Sequence, residues 1–363
     1  MREPVADPLT PGDSTPGRDA AITTGLETWF PSAARDLPWR GPRTGWTGLV
    51  SEAMLQQTQV ARVVPAFERF MASFPTPAAL AAADEEAVLS HWQGLGYYRR
   101  ARMLHRAAQV IVDEHAGDVP SDADALETLP GVGRYTAGAV ASIVFGRRSP
   151  IVDGNVRRVI ARLDLDARPP QDRAVERRAW KRAGELVEAA SDPAVFNESL
   201  MELGATVCTP AAPRCGACPV ASECRAYAAG LAAEVPPPAK PAARTEVHLH
   251  VVIAERGGRT LVEQRGESGL WARMWQMPTV EAADRLTWES IAAELDGTFT
   301  GPEHRGGFLH RTTHRDVHFD VWTARTRRRS GRWVDAEELA ALPVANGHRK
   351  ALALRSAEKS VFG

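Results

Sequence analysis

Two hydrophobic periodicities divide the chain. From Thr23 to about Leu231 apolar residues recur three and four positions apart, as in Val60, Val63, Val64, Phe67, Phe70 and Met71, and again in Met103, Ala107, Val110 and Ile111. That spacing predicts amphipathic helices, and strand-like alternation is nearly absent there. Beyond residue 245 the pattern changes. Val247, Leu249, Val251 and Ile253 alternate with polar residues, and Gly257-Gly258 leads into Thr260, Leu261 and Val262, which predicts a hairpin. Between the halves stand Pro236, Pro237, Pro238 and Pro241, the mark of a stiff, extended linker. Residues 1–20 are rich in Pro, Gly, Asp and Thr and are expected to be a disordered tail. The expected organisation is a tail (1–20), an all-α domain (21–231), a linker (232–245) and an α+β domain (246–363). A length of 363 residues is consistent with more than one core.

Charge alters this picture locally. The formal net charge is −1, so no global basic field advertises nucleic acid. Arg99, Arg100, Arg102, Arg106, Arg134, Arg147, Arg148, Arg157, Arg158 and Arg162 nevertheless crowd one stretch, which predicts a basic face for phosphates; solvated helix surfaces are the alternative. No apolar run approaches 18 residues and no secretory leader is visible, so the expectation is a cytoplasmic protein without membrane contact. In that reducing compartment disulfides are rare. All four cysteines, Cys208, Cys215, Cys218 and Cys224, fall within 17 residues in the pattern C-x6-C-x2-C-x5-C. Such clustering predicts a metal or cluster site, and spacing alone leaves zinc and [4Fe–4S] both open.

Three further segments carry candidate chemistry. Asp122–Thr128 and Arg134–Phe145 read as helices joined by Leu129-Pro130-Gly131-Val132-Gly133. Gly131 and Gly133 are expected to adopt backbone conformations closed to other residues and to present amides to an anion. Asp153 precedes a helix starting near Val156, where a helix cap is the commonest role. Glu52 lies in an apolar stretch, either at the polar edge of a helix or as a buried acid. Cleaving a glycosidic bond needs a protonated leaving group and a stabilised sugar cation, work that two carboxylates commonly divide. Gln56-Gln57-Thr58-Gln59 and Gly94-Leu95-Gly96-Tyr97-Tyr98 are polar and aromatic segments suited to filling a gap in a base stack.

These segments together resemble the MutY branch of the helix-hairpin-helix, endonuclease III-like DNA glycosylases. The resemblance rests on Leu37-Pro38-Trp39-Arg40, Ser51–Val60, Gly94–Tyr98, Leu129–Ala137, Val152–Val159, Phe196–Glu202 and the cysteine loop, covering nearly all of residues 29–224. It implies an all-α glycosylase domain whose four cysteines hold a structural [4Fe–4S] cluster. It implies that Glu52 protonates the departing adenine, Asp153 stabilises the sugar cation, and Tyr135 and Asn155 position these groups. Arg35, Trp39, Leu55, Glu198 and Met201 would line the base pocket, and Gln57 and Tyr97 would enter the duplex. Leu129, Gly131, Val132 and Gly133 would grip the DNA backbone. Endonuclease III-like relatives carry lysine at position 135, and Tyr135 cannot form a Schiff base, so no efficient lyase step is expected.

Residues 246–363 resemble the Nudix-like domain with which that family recognises 8-oxoguanine, through Gly269-Leu270-Trp271 to Met277-Pro278. A Glu-rich hydrolase box is missing, since Ser290–Leu295 holds a single Glu, which argues against a nucleotide-diphosphate hydrolase. Retention of Glu52 and Asp153 argues against a non-catalytic scaffold. Where the family has Phe-Ser-His, this chain has Thr312-Thr313-His314, followed by a longer loop before His318. Thr313 and His314 remain the candidate lesion contacts. The expected partner is double-stranded DNA with adenine opposite 8-oxoguanine or guanine, bound by a monomer.

Overall fold

The computed structural model describes residues 15–238 and 243–356. The N-terminal two-thirds is helical, in the order α1 Pro16–Ala33, α2 Gly45–Leu55, α3 Val60–Ser73, α4 Pro77–Ala81, α5 Glu85–His91, α6 Arg99–Glu114, α7 Ala123–Glu127, α8 Arg134–Ala139, α9 Gly154–Asp164, α10 Arg173–Ala189, α11 Pro193–Thr206 and α12 Arg225–Ala228. Short polar side chains start these helices. Asp84, Asp122, Asp153, Asp172 and Asp192 each accept a backbone N–H of the first turn, satisfying a donor that the helix itself cannot.

The remainder forms β1 Thr245–Ile253, β2 Glu255–Arg256, β3 Arg259–Gln264, β4 Trp275–Gln276, β5 Thr279–Ala282, α13 Trp288–Glu294, β6 Phe299–Arg311, β7 Arg315–Thr326, β8 Arg332–Val334, α14 Ala336–Ala341 and α15 Asn346–Ala353. One sheet has the order β5-β1-β7-β6, with β1 and β7 parallel and the other pairs antiparallel. A second joins β2, β3 and β4, with β8 also on β3, and contains the expected Gly257-Gly258 hairpin. Val247, Leu249, Val251, Val317, Phe319 and Val321 form a core with Met277 and Ala351 of α15. The period-2 alternation therefore marks one buried face, as predicted.

The chain divides into two units: residues 1–82 with 103–240, and residues 83–102 with 241–363. By their spatial neighbours α5 and the Gly94–Tyr98 loop group with the β-containing unit, although in sequence they lie inside the expected all-α domain. Within that unit Trp275 donates to Glu86 at 2.7 Å, Arg273 meets Glu85 at 3.2 Å, and Gln93 bonds Leu342 O at 2.6 Å and Arg349 at 2.9 Å. Polar side chains of residues 83–102 thus find partners in Arg273, in Trp275 of β4, in Leu342 just after α14 and in Arg349 of α15.

In the helical unit, α1, α9, α10 and α11 enclose a core containing Ile22, Leu26, Val159, Leu186, Phe196 and Leu203. Three sequence expectations are corrected there. Helix begins at Pro16, inside the expected tail; residues 1–14 lie outside the described residues. The cause is tertiary: Arg182 grips buried Asp19 at 2.5 and 2.7 Å, and Arg18 reaches Asp164 at 2.9 Å. The expected linker is packed at its start, since Val235 is buried against Ala161 and Leu165 and its carbonyl accepts from Arg162 at 2.7 Å; Pro241 lies outside the described residues. The helix expected over Arg134–Phe145 is α-helical only to Ala139 and continues as a π turn over Val140–Val144.

Candidate active site

Within the helical unit a cavity of about 230 Å³ opens between α2, the π turn, α9 and α11. Eight of the residues anticipated from sequence line it: Arg35, Trp39, Glu52, Leu55, Asp153, Asn155, Glu198 and Met201. Glu52 sits in the last turn of α2, a helix whose Leu49, Val50 and Met54 are buried, so its carboxyl is drawn inward with them. Burial raises its pKa to about 7; the negative charges of Asp153 and Glu198 push the same way, against a hydrogen bond from the Tyr135 hydroxyl. Tyr135 is driven well above the ordinary phenol range, first by burial and then by Glu52 and Asp153, so it stays protonated as a donor. Its hydroxyl also lies 4.0 Å from Met201 Sδ.

Asp153 is both helix cap and cavity wall. Its Oδ1 accepts from Val156 N at 2.7 Å, and its Oδ2 accepts from Asn155 Nδ2 at 3.2 Å. Asn155 Oδ1 in turn accepts from Arg158 at 2.9 Å, fixing which end of the amide faces Asp153. The two readings of Asp153 are compatible, because one oxygen caps α9 while the other stays with Asn155.

The sequence reading missed part of the wall. Arg40 spans Glu198 at 3.1 Å and Glu202 at 2.9 Å, Arg43 meets Glu198 at 2.7 Å, and Arg35 grips Glu202 with two bonds of 2.6 and 3.0 Å. Burial opposes the charge on Glu202, but the hydrogen bonds from Arg35 and Arg40 outweigh it and lower its pKa. Arg40 and Glu202 stand in segments singled out by resemblance, which was the available signal; Arg43 had none.

Other anticipated residues lie outside the cavity lining. Gln57 follows α2 in a left-handed conformation, φ 56°. Leu129 is buried, and Val132 N bonds Leu129 O at 3.1 Å, closing the turn between α7 and α8. Gly131 has φ 79°, and a Cβ there would lie 2.4 Å from Met103 Cβ, so glycine is required. The expectation for Gly133 is corrected: its φ of −104° is open to any residue and a Cβ would meet nothing within 4 Å. Four of the ten arginines expected on a basic face are committed elsewhere. Arg162 is buried on carbonyls of Val235, Thr209 and Pro210, Arg158 bonds Cys208 O and Gly204 O, and Arg148 bonds carbonyls at the end of α10. In the other unit Arg100 bonds the carbonyls of Leu95 and Gly96. These guanidiniums bond the fold's own carbonyls.

The four cysteines are half-buried in the segment between α11 and α12, which makes short 3-10 turns at Cys215–Ala217 and Ala221–Glu223. Arg162 Nη1 approaches Cys208 Sγ at 3.3 Å, and Cys208, Cys218 and Cys224 pack against the α9–α11 core. In the β-containing unit Tyr97 is exposed with φ 47°, and its hydroxyl hydrogen-bonds Thr313 Oγ1. Thr312 N and Oγ1 both bond Arg315 O, bracing the turn that carries Thr313 and His314.

Known proteins agree with this architecture. Residues 50–185 match the HhH-GPD superfamily of base excision DNA repair proteins, and residues 249–354 match the NUDIX domain. The adenine DNA glycosylase of Homo sapiens is 34% identical over 92% of this chain and 74% of its own length. That of Mycolicibacterium smegmatis is 46% identical over 57% of this chain and 70% of its own. Among solved structures, a thermostable thymine-DNA glycosylase covers 60% of this chain and all of its own, with 27% identity and a TM-score of 0.54. A trapped endonuclease III–DNA covalent intermediate gives 25% identity and 0.51 over the same share of this chain. Among the described residues no helix is long and apolar enough to cross a membrane. The chain belongs to the adenine DNA glycosylases, N-glycosylases of base excision repair within the HhH-GPD superfamily.

Proposed function

We propose that this enzyme removes adenine mispaired with 8-oxoguanine or guanine, after flipping it from double-stranded DNA into the cavity beside Glu52. The observation that carries this reading is the pairing of buried Glu52, whose pKa burial raises to about 7, with Asp153 in the wall of one cavity. Glu52 delivers its proton to the departing base. Asp153, whose Oδ2 is steadied by Asn155, faces the growing positive charge on the sugar. Tyr135 donates to Glu52 and orients it. Arg35, Trp39, Leu55, Glu198 and Met201 shape the base site. Gln57 and Tyr97 enter the duplex, helped by positive φ angles that lift each side chain off a regular path. Leu129, Gly131, Val132 and Gly133 hold the DNA backbone; the open space at Gly133 allows a phosphate to approach the amide closely. Thr313 and His314 read the lesion. Because position 135 holds a phenol, base loss ends without efficient strand cleavage.

The cysteine loop suits a [4Fe–4S] cluster held by Cys208, Cys215, Cys218 and Cys224. Among the described residues no three of these sulfurs fall within 4.8 Å of one another. The ligands of one tetrahedral zinc at ~2.3 Å would stand about 3.8 Å apart, so the wider spacing favours a larger centre. Burial pushes the Cys218 thiol up to about 11, and the other three cysteines add to the shift, so four thiolates here call for strong positive charge at their centre. When bound, the cluster would tie residues 208–224 together. The protein is taken to act as a cytoplasmic monomer.

The test is a gel assay with duplexes carrying A opposite 8-oxoguanine, A opposite G, T opposite G, and thymine glycol. The expected outcome is cutting of the two adenine duplexes only, and only after alkali. Release of thymine, or cutting without alkali, would overturn the reading.

A further inference from the structure

One sheet face of the β-containing unit carries chemistry that base release does not use. Strands β1 and β7 run parallel in register, with Glu246 opposite Asp316, His248 opposite His318 and His250 opposite Asp320. Their odd-numbered neighbours fill the core, so these residues share the opposite face. At the far end every group is committed. His250 Nδ1 donates to Asp320 at 3.2 Å, its Nε2 accepts from Leu286 N at 3.1 Å, and Asp320 also takes His304 and Trp322. The near end is different. The His248 and His318 rings lie 4.6 Å apart and 11° from parallel. The Nε2 of His318 is buried without a hydrogen-bond partner, and Glu246 stands 3.7 Å from it, too far for a hydrogen bond. One ligand atom from each of Glu246, His248 and His318 lies within 4.8 Å of the other two.

We propose that Glu246, His248 and His318 form a binding site for a divalent transition-metal ion of the zinc type. Two imidazoles and one carboxylate are a donor set for zinc rather than for magnesium or calcium, which take oxygen. Two ligands on one zinc, each at ~2.0–2.1 Å, stand about 3.4 Å apart, so the trio must close by roughly 1 Å. Side-chain rotation suffices, because the two histidines are already register partners and Glu246 is exposed. Three protein ligands leave a position for water or an anion. The ion would answer the orphaned nitrogen of His318. It would also fasten β1 to β7 close to the Thr312–His314 turn, since Thr245 N bonds His314 O at 3.0 Å one rung earlier. Nearby charge is balanced, with Asp316 between Arg244 and Arg311 at 3.7 and 3.8 Å.

The test uses the full chain carrying its cysteine-held centre, cleared of loose metal by a mild chelator and titrated with Zn²⁺ against a chromophoric competitor. The wild type is expected to bind one zinc that the His248→Ala/His318→Gln variant does not. The cysteine loop is the same in both and cancels. Glu246→Gln should weaken binding at least about tenfold, the smallest loss seen on removing even an outer-shell partner. Absence of zinc binding by the wild type, or equal binding by the double variant, overturns the site. Should the double variant lose its circular-dichroism signature, Glu246→Gln decides alone, because an exposed carboxylate is not needed for folding; unchanged affinity would then overturn the proposal.

Discussion

Glu52, Glu198 and Glu202 face one cavity, and their neighbours set their chemistry. Glu198 and Glu202 are held by Arg35, Arg40 and Arg43, whereas among the described residues no arginine reaches Glu52. Its pKa near 7 against an ordinary 4.5 means that the folded protein favours the protonated form. The stability linked to Glu52 is therefore complete below about pH 4.5 and is lost as pH rises through 7. At about 1.4 kcal/mol per unit, the loss is on the order of 3 kcal/mol. Glu52→Gln should remove it, leaving the variant about 1–3 kcal/mol more stable than wild type at pH 8 and nearly equal at pH 5, while base release almost vanishes. Urea titrations at the two pH values check this; a gap independent of pH would mean that Glu52 does not titrate in the native state across that range. Local pattern left Glu52 either a helix edge or a buried acid and made Asp153 first a helix cap; the resemblance, not the pattern, singled the two out together. The Arg40–Glu198 and Arg40–Glu202 pairs were not legible, since their partners lie 158 and 162 residues apart in sequence.

At the scale of elements, local rules found the two helices of the hairpin and the helix after Asp153, and tertiary contacts set the extent of others. The cap at Asp122 and the turn at Gly131 follow from side-chain reach and from the left-handed φ. The π turn after Ala139 escaped notice because an apolar segment has no signature separating one winding from the other. The start of α1 was hidden for a different reason: Pro, Gly and Asp resemble a tail until Asp19 meets Arg182, 163 residues away. That pair is almost sealed from solvent, with side-chain exposures of 9% and 4%. Asp19→Ala would leave Arg182 buried with Asp164 at 3.2 Å and Glu185 at 3.2 Å as its remaining carboxylates. Breaking a buried pair from one side costs about 3–5 kcal/mol, and Asp164 should hold the loss to the lower part of that range. Urea unfolding measures it, and a loss under about 1 kcal/mol, the worth of an exposed pair, would show that the Asp19–Arg182 pair does not anchor α1.

For the whole molecule, composition located the change from helix to sheet but not the spatial division. Residues 83–102 are helical in pattern and sit among helices in sequence, yet their polar groups are satisfied by β4, α14 and α15. No local signal carries that information, because Glu86, Ser90 and Gln93 look like any solvated helix face until Trp275, Ala341 and Leu342 arrive. The consequence concerns Tyr97. Deleting residues 241–363 removes Thr313 and His314, and it also strips the partners that hold the loop presenting Tyr97. Truncation and point substitution should therefore differ in kind. In the truncated protein a protease should cut within residues 83–102, a segment the full chain protects. His314→Ala in the full chain should keep that protection and lose only several-fold of the preference for A opposite 8-oxoguanine over A opposite G, the worth of one hydrogen bond at roughly 0.5–1.5 kcal/mol. The truncation should lose more than that substitution, since it disturbs Tyr97 as well. Equal preference in wild type, His314→Ala and truncation would place lesion reading outside residues 241–363, and unchanged protease resistance in the truncation would show that residues 83–102 hold their fold without them.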